Sequence, residues 1–206
     1  MIHLDSLERR YRGNLINSLG GFKSICLVGT KNTLGNENLA IFSSLVHIGA
    51  DPALCGLIVR PSIPPRNTLA NILESRSYTI NHIHESMIDQ AHQTSAKYEA
   101  SISEFETTGL KSEYKEGIYA PFVKESIIKF ACEFVQKIDI EINGTSFIIG
   151  KIIDIIVPNE IIENDGFINI DKAGTITATG LDAYYTTSKI KRLSYAKPNS
   201  IAKLIS

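Results

Sequence analysis

With 206 residues, 43% of them apolar, the chain is long enough to bury a globular core. Its formal net charge of −1 disfavours nucleic acid as a partner, because neutralising phosphates needs clustered cations and this chain spreads its lysines and arginines out. No uninterrupted apolar segment reaches the roughly 20 residues that span a bilayer, so we predict no membrane partner.

The N-terminus and the cysteines favour an intracellular protein. Residues 1–13 are charged and lack the apolar stretch of a signal peptide, so we expect a cytoplasmic location. Cys26, Cys55 and Cys132 are far apart and lack C-x-x-C spacing, which predicts small buried hydrophobes rather than a disulfide or a zinc site. Because there is no repeat or Gly/Ser linker, we predict one domain over 1–206, with a lead-in at 1–20 and a tail at 180–206.

The first half of the chain predicts three strands after a polar lead-in at 4–19 that can hold a short helix. The strands lie at 24–30, 39–45 and 52–59. The second strand is unusual, because Asn38, Ala40, Ser43 and Ser44 replace the large side chains that normally fill a buried strand. We interpret this stretch as the wall of a pocket for a flat polar ligand, although Ser43 and Ser44 could instead face water on an edge strand.

A stiff loop at 60–66 follows the third strand and leads into a helix at 67–76. Its three prolines are incompatible with an α-helix and with the hydrogen-bond ladder of a β-sheet. The loop carries Arg60 and Arg66. These guanidinium groups suit a phosphate, and Thr68 and Asn71 at the helix N-terminus could add donors. The alternatives are that both arginines are solvated and that Thr68 only caps the helix. A flat ring together with a phosphate describes a mononucleotide cofactor.

The second half continues with a strand at 78–83 and a helical region at 85–110. In that region one helix face is shared by Met87, Ile88, Ala91 and Ser95, and a second short helix lies near 101–106. After an irregular connection at 117–124, strands are predicted at 126–142, 145–156 and 160–162, with a hairpin turn at Asn143-Gly144. Many short strands with few helices predict a mainly β, antiparallel barrel.

No residue is predicted to be catalytic. His82 and His84 alternate on one strand, but no third ligand is evident, so we expect no metal site. His92 could contact a ligand or lie on a solvated helix face. The chain has no Gly-x-Ser-x-Gly, Walker or Gly-x-Gly-x-x-Gly pattern, so its chemistry would belong to a cofactor.

Six short motifs carry a resemblance to a known family. They are VGT at 28–30, NLAIFSS at 38–44, LIVRP at 57–61, RNTLAN at 66–71, YTIN at 78–81 and IGKI at 149–152. In order and spacing the chain resembles the flavin reductase-like family of FMN-binding split barrels, in the branch that includes flavoredoxin-type proteins.

The resemblance implies a six-stranded antiparallel split barrel of Greek-key type, working as a homodimer with FMN near the interface. The residues that it assigns to FMN are Asn38, Leu39, Ala40, Ser43 and Ser44 for the ring, Arg60, Arg66, Thr68 and Asn71 for the phosphate, and Thr30 and Asn36 at the mouth. In the tail it suggests Tyr184, Tyr185 and Lys189 as groups that close over the partner subunit's flavin, with a plain surface tail as the alternative.

The implied activity is electron transfer with a small-molecule or protein redox partner. It is either NAD(P)H-dependent flavin reduction, with NADH or NADPH as reductant, or that of a flavoredoxin-like carrier; an FMN-storing or FMN-sensing barrel without turnover is a further alternative. Many members of the family carry an Asp-His pair in the hairpin that here reads NGTS at 143–146. That departure leaves the nicotinamide without this histidine and does not touch FMN binding.

Overall fold

The computed structural model describes residues 1–62, 67–99 and 101–205. The helices are α1 (Arg9–Leu19), α2 (Asn67–Ser75), α3 (Ile88–Gln93) and α4 (Glu104–Thr108), with short 3-10 turns at Leu4–Ser6, Glu85–Met87 and Asn159–Ile161. The strands are β1 (Lys23–Ser24), β2 (Cys26–Lys31), β3 (Glu37–Phe42), β4 (Val46–Ala50), β5 (Ala53–Val59), β6 (Ser77–His82), β7 (Ser112–Glu113), β8 (Phe122–Val123), β9 (Lys129–Ile140), β10 (Thr145–Ile156), β11 (Thr177–Thr179) and β12 (Ala183–Tyr185).

The main sheet has seven strands in the order β3-β2-β6-β9-β10-β5-β4, and every neighbouring pair is antiparallel. One apolar cluster contains Val28 and Phe42 from one end of this order and Leu57 from near the other. Strands so far apart in a flat sheet could not share a core, so the sheet curls onto itself. The predicted mainly β, antiparallel barrel with peripheral helices is confirmed.

Ser44 closes the seam of this barrel. It follows the edge strand β3, and its hydroxyl donates to the Ile58 carbonyl at 3.1 Å and accepts from the Ile58 N–H at 3.0 Å. One side chain thus satisfies both backbone groups of a β5 residue, where a neighbouring strand would otherwise do so.

The hairpin between β9 and β10 forms where the Asn-Gly signal predicts it. Gly144 adopts a φ of 69°, which is the left-handed region that glycine enters without strain. The Asn143 side-chain oxygen accepts from the Thr145 N–H at 3.1 Å and from its hydroxyl at 2.7 Å, so the turn is satisfied by its own residues.

The barrel interior contains the three cysteines. Cys26, Cys55 and Cys132 are all buried thiols, as the sequence predicts, and the sulfur atoms of Cys55 and Cys132 lie 3.6 Å apart. Burial raises the pKa of the Cys26 thiol well above its usual range, so this group is an inert core side chain.

A second apolar cluster covers the outer face of β2 and β3. Leu27 and Leu39 pack there against α3, α4 and the small sheet β1-β11-β12. Met87 and Ala91 are buried in this cluster with Ile88 against it, which confirms the shared helix face, whereas Ser95 lies exposed beyond the end of α3.

Several predicted elements differ from the structure. The second strand ends at Phe42, so Ser43 and Ser44 lie outside it, and β4 was not predicted, which makes the sheet seven-stranded rather than six-stranded. The predicted strand at 160–162 is wrong, because these residues belong to the 3-10 turn Asn159–Ile161 and the residue after it. The second short helix begins at Glu104, three residues later than predicted.

None of the helices in the described part of the chain is both long enough and apolar enough to cross a lipid bilayer.

Candidate functional site

A cleft of about 540 Å³ opens between the end of β3 and the small sheet β1-β11-β12. Its first wall comes from the barrel, with Ala40, Ile41, Ser43, Ser44 and Ile58. The wall is mostly apolar, because Ile41 and Ile58 are partly exposed there beside the small residues Ala40, Ser43 and Ser44. The cleft can therefore accept a flat apolar body against the barrel.

The second wall is a row of three residues that lie side by side across the small sheet. Lys23 of β1 pairs with Ala178 of β11, and Ala178 pairs with Tyr184 of β12, and all three line the cleft. Adjacent strands lie about 4.8 Å apart, so the backbones of Lys23 and Tyr184 are roughly 10 Å apart with only a methyl group between them. A cation and a phenol thus flank a small side chain that is itself only 3% exposed.

Two cations reach the cleft. The Lys23 ammonium donates to the Gly180 carbonyl at 2.9 Å, and Arg60, exposed after the end of β5, donates to the Asn17 side-chain oxygen at 2.8 Å. Burial, and then the positive charge of Arg60, lower the pKa of Lys23. Within the described residues neither cation forms an ion pair with a carboxylate, so this end of the cleft favours an anionic group.

A third wall follows α3, where Thr94 and Ser95 line the cleft. The Thr94 hydroxyl donates to the Ala91 carbonyl at 2.8 Å and so fixes the end of the helix. Two residues earlier, Nδ1 of His92 lies 2.6 Å from the Tyr184 hydroxyl, and the two rings meet edge to face with centroids 5.8 Å apart. Burial, and then the charge of Asp182, raise the pKa of Tyr184.

Four predicted cofactor residues lie elsewhere, in a buried polar cluster that consists of Thr30, Asn38, Thr68 and Asn71. The Asn38 amide donates to the Thr30 hydroxyl at 3.3 Å and to the Thr68 hydroxyl at 3.0 Å, and the Asn71 amide donates to the Thr30 hydroxyl at 3.1 Å. All four are at most 6% exposed. The cluster thus joins β2, β3 and α2, and its members' role in binding stays a prediction.

The remaining predicted residues are divided between other places. Leu39 is buried, and its N–H donates to the Glu104 carboxylate at 2.9 Å on the outer edge of β3. The Asn36 N–H donates to the Asn32 side chain at 2.8 Å in the turn before β3. Arg66 lies outside the described residues. Of the predicted site, the cleft therefore brings together Ala40, Ser43, Ser44 and Arg60.

Sequence reasoning missed Lys23 and the Thr94–Ser95 wall, and it assigned Tyr184 to the partner's flavin rather than to its own chain's cleft. No local signal marks Lys23, because its place depends on pairing with a strand more than 150 residues away. Tyr185 packs instead on Phe22, with ring centroids 5.1 Å apart, and Lys189 lies 3.4 Å from Glu163.

The histidines near the barrel have protein partners. Nδ1 of His82 lies 3.2 Å from the Thr175 hydroxyl, and burial lowers the pKa of His82 to about 4. Nε2 of His84 lies 3.0 Å from the Glu125 carbonyl. In residues 1–62, 67–99 and 101–205, no group of three or more His, Cys, Asp or Glu side chains is arranged to hold a metal ion.

Comparison with known proteins gives a consistent picture. Residues 22–191 match the family model described as a flavin reductase like domain. A solved structure of a candidate flavin reductase with a split-barrel domain, from Shewanella frigidimarina, is 49% identical, with a TM-score of 0.90 over 94% of this chain and 96% of that chain.

Two more distant structures share the fold. Nitrilotriacetate monooxygenase component B from Bacillus cereus is 20% identical, with a TM-score of 0.84 over 94% of this chain and 98% of that chain. Flavoredoxin of Desulfovibrio vulgaris (Miyazaki F) is also 20% identical, with a TM-score of 0.71 over 87% of this chain and 92% of that chain.

Proposed function

Because the chain belongs to the flavin reductase-like family, we propose that it binds FMN in the cleft and transfers electrons through it. The family supports a flavin-related redox function, and the proposal adds the particular flavin and its place in this chain.

The observation that carries the proposal is the pair of cations, Lys23 and Arg60, at a cleft whose other surfaces are apolar or small. A phosphate monoester carries close to two negative charges near neutral pH, which the two cations can neutralise together. Ile41 and Ile58 supply apolar surface for a flat ring. The described residues therefore fit a flavin mononucleotide.

Each group has a defined task in this proposal. Lys23 and Arg60 hold the phosphate, and Arg66 is a further proposed phosphate ligand from the sequence. Ile41 and Ile58 exclude water from one face of the ring, while Ser43 offers a hydroxyl at its edge. When bound, FMN supplies the redox chemistry, because it accepts and donates electrons singly or as a hydride.

Two candidate functions differ in the electron donor that reduces the flavin. The first is reduction of the flavin by NADH or NADPH. The second is an electron carrier without nicotinamide turnover, and the turn between β9 and β10 favours it. There the polar groups are occupied by one another: Thr145 donates to Asn143, and Ser146 donates to Asp139 at 2.7 Å. This turn lies close to the residue after Arg60, since a Cβ at Gly144 would lie 3.6 Å from Pro61, and residues 143–146 include no histidine.

We also propose a homodimer. Apolar side chains stay exposed on neighbouring strands of the main sheet, among them Val135, Ile138, Ile153 and Ile155. Exposed apolar surface of this kind is typical of an interface, and a second copy is the occupant that the family favours. Analytical ultracentrifugation should give twice the mass of one chain.

The phosphate assignment is tested by comparing FMN with riboflavin, which has the same ring and no phosphate. We expect Arg60→Ala and Lys23→Ala each to weaken FMN binding about 10- to 100-fold, the usual range for a lost hydrogen bond to a charged group, and to change riboflavin binding less than about twofold. Binding is followed by fluorescence quenching and by the visible spectrum of the protein after gel filtration.

Lys151→Ala is the matched control, because Lys151 is exposed and does not line the cleft. If both cleft variants keep wild-type affinity for FMN, or lose affinity for both ligands equally, the phosphate does not bind there. Sustained anaerobic bleaching of the flavin by NADH or NADPH would establish the reductase, and its absence with both nucleotides would leave the carrier.

A further inference from the structure

Tyr184 and His92 form a polar pair at the cleft that the proposed function leaves without a task. The Tyr184 ring lines the cleft, and its hydroxyl lies 2.6 Å from Nδ1 of His92, whose side chain is exposed to solvent. We propose that Tyr184 delivers the proton to an electron acceptor bound in the cleft, and that His92 positions Tyr184 and replaces its proton from solvent. This inference rests on the proposed flavin site and adds to it a catalytic residue and a positioning residue.

Tyr184 lies at the opposite end from Lys23 of the row across the small sheet. Lys23, Ala178 and Tyr184 lie side by side, so Tyr184 is separated from the cationic end by the width of two strand spacings, roughly 10 Å. A mononucleotide held by its phosphate beside Lys23 would have Tyr184 within reach of its redox-active ring. An acceptor of electrons would have to bind there too.

The hydrogen bond between Tyr184 and His92 can run in either direction, depending on the protonation of the imidazole. A neutral imidazole with its proton on Nε2 accepts the Tyr184 O–H at Nδ1. A protonated imidazole donates Nδ1–H to the phenol oxygen instead, and this frees the phenol O–H to point at a ligand. Protonation of His92 thus converts Tyr184 from an acceptor into a donor toward the cleft.

When bound, FMN would supply a hydride to an acceptor of the carbonyl or quinone class, and the reduction is completed by one proton. The acceptor's oxygen takes the Tyr184 hydroxyl proton; this O–H bond breaks while the new bond to hydrogen forms. The Nδ1 proton of His92 moves to the Tyr184 oxygen, and His92 regains a proton from water.

The surroundings favour a transfer in which both protons move together. Burial and the nearby Asp182 raise the pKa of Tyr184, so a free phenolate is disfavoured and the second proton must follow at once. On α3 itself, Asp89 lies one turn before His92. The other acids on elements packed against α3 are Glu37, Glu85, Glu104 and Glu106. Glu37 accepts the Tyr114 hydroxyl and Glu104 accepts the Leu39 N–H, so these two are occupied.

The test compares two electron acceptors on the same FMN-loaded protein after anaerobic reduction with dithionite. Ferricyanide takes one electron and no proton, whereas menadione takes two electrons and two protons. We expect Tyr184→Phe to slow reoxidation by menadione about 100-fold, at the low end of general acid contributions, and to change reoxidation by ferricyanide less than about twofold. Stopped-flow absorbance of the flavin gives both rates.

Tyr185→Phe is the matched control, because Tyr185 neighbours Tyr184 and packs on Phe22. It should leave both rates at wild-type values. An equal loss with both acceptors in Tyr184→Phe, or no loss with either, would overturn the inference. A wild-type protein that binds no flavin would instead refute the proposed function, so the two failures are distinguishable.

The role of His92 has its own readout, which needs no flavin. The hydrogen bond of His92 is followed by NMR of the imidazole nitrogens, and the Nδ1 resonance should move in Tyr184→Phe because this hydrogen bond is lost. In the loaded protein, the menadione rate should fall as pH rises, because the reaction consumes a proton, and His92→Gln should flatten this profile. A pH profile that is the same in His92→Gln and wild type would remove His92 from the relay.

Discussion

The buried polar cluster and the cleft lie toward opposite ends of β3 and use similar side chains in different ways. Asn38 lies near the start of the strand, where its amide donates to two buried hydroxyls. Ser43 lies just beyond the other end and lines the cleft. Five residues of extended chain span about 16 Å, so the two ends of this stretch belong to different environments.

Structural polar groups and candidate ligand-binding groups differ here in the partners that they have. In the buried polar cluster, hydroxyls and amides are one another's partners, which satisfies groups that would be costly to bury alone. At the cleft, Lys23 and Arg60 have uncharged partners and no opposite charge among the described residues. Polar residue types therefore occur in both regions, and only their bonding partners distinguish the two.

The largest expected effect comes from breaking the buried polar cluster with Asn38→Leu. The substitution removes two hydrogen bonds and leaves buried hydroxyls unpaired, so we expect the free energy of unfolding to fall by about 3 kcal/mol. FMN affinity of the remaining folded protein should change less than about twofold. Urea unfolding and FMN titration measure the two effects.

The exposed Asn14 of α1 provides the control, since Asn14→Leu should shift stability by less than about 0.5 kcal/mol. The opposite result, a stable Asn38→Leu protein with weak FMN binding, would show that Asn38 holds the cofactor, as the resemblance implies, and would merge the two regions into one site.

The sequence predicted those parts of the structure that depend on local signals. The β9–β10 hairpin follows from Asn143-Gly144, and Arg60 reaches the cleft because it directly follows a strand that the alternation predicts. Lys23 and Tyr184 reach it only through pairing across β1, β11 and β12, which joins distant parts of the chain. β4 was missed although Val46, Ile48 and Ala50 alternate with His47 and Gly49, because it is short and largely exposed at the sheet edge.

The polar residues of the 28–44 stretch also show what the sequence cannot predict. Alternation predicts which face of β3 a residue occupies, but not whether a ligand or another side chain lies beyond that face. Thr68 and Asn71 meet Thr30 and Asn38 because α2 packs against β2 and β3, a tertiary contact that no sequence window contains.

A smaller effect is expected at the barrel seam, where Ser43 and Ser44 are neighbours with different tasks. Ser44→Ala removes both hydrogen bonds to the Ile58 backbone, so we expect a loss of about 1.5 kcal/mol in the free energy of unfolding. Ser43→Ala should cost less than about 0.5 kcal/mol. If the two variants have equal unfolding midpoints in urea, the Ser44 hydroxyl does not stabilise the seam.

The smallest expected effect concerns Glu104, which contacts Leu39 on the outer edge of β3. Burial raises the pKa of this carboxyl above its usual value of 4.5, and the hydrogen bond from the Leu39 N–H opposes that rise. A raised pKa means that the folded state favours the protonated form. Its contribution to stability is therefore full below about pH 4.5 and is lost as pH rises through the folded pKa.

Glu104→Gln keeps an oxygen that can accept the Leu39 N–H and cannot ionise, so it isolates this one titration. We expect the stability of wild type relative to the variant to decline as pH rises from 4 toward 8, by less than the Ser44 effect, in urea titrations at each pH. Glu106→Gln, on the same helix and exposed, should give a difference from wild type that varies less with pH. The opposite result is a wild type that becomes more stable relative to Glu104→Gln as pH rises over this range. It would mean that the hydrogen bond from the Leu39 N–H outweighs the effect of burial. β3 would then be held at this edge by a charged carboxylate rather than by a neutral acid.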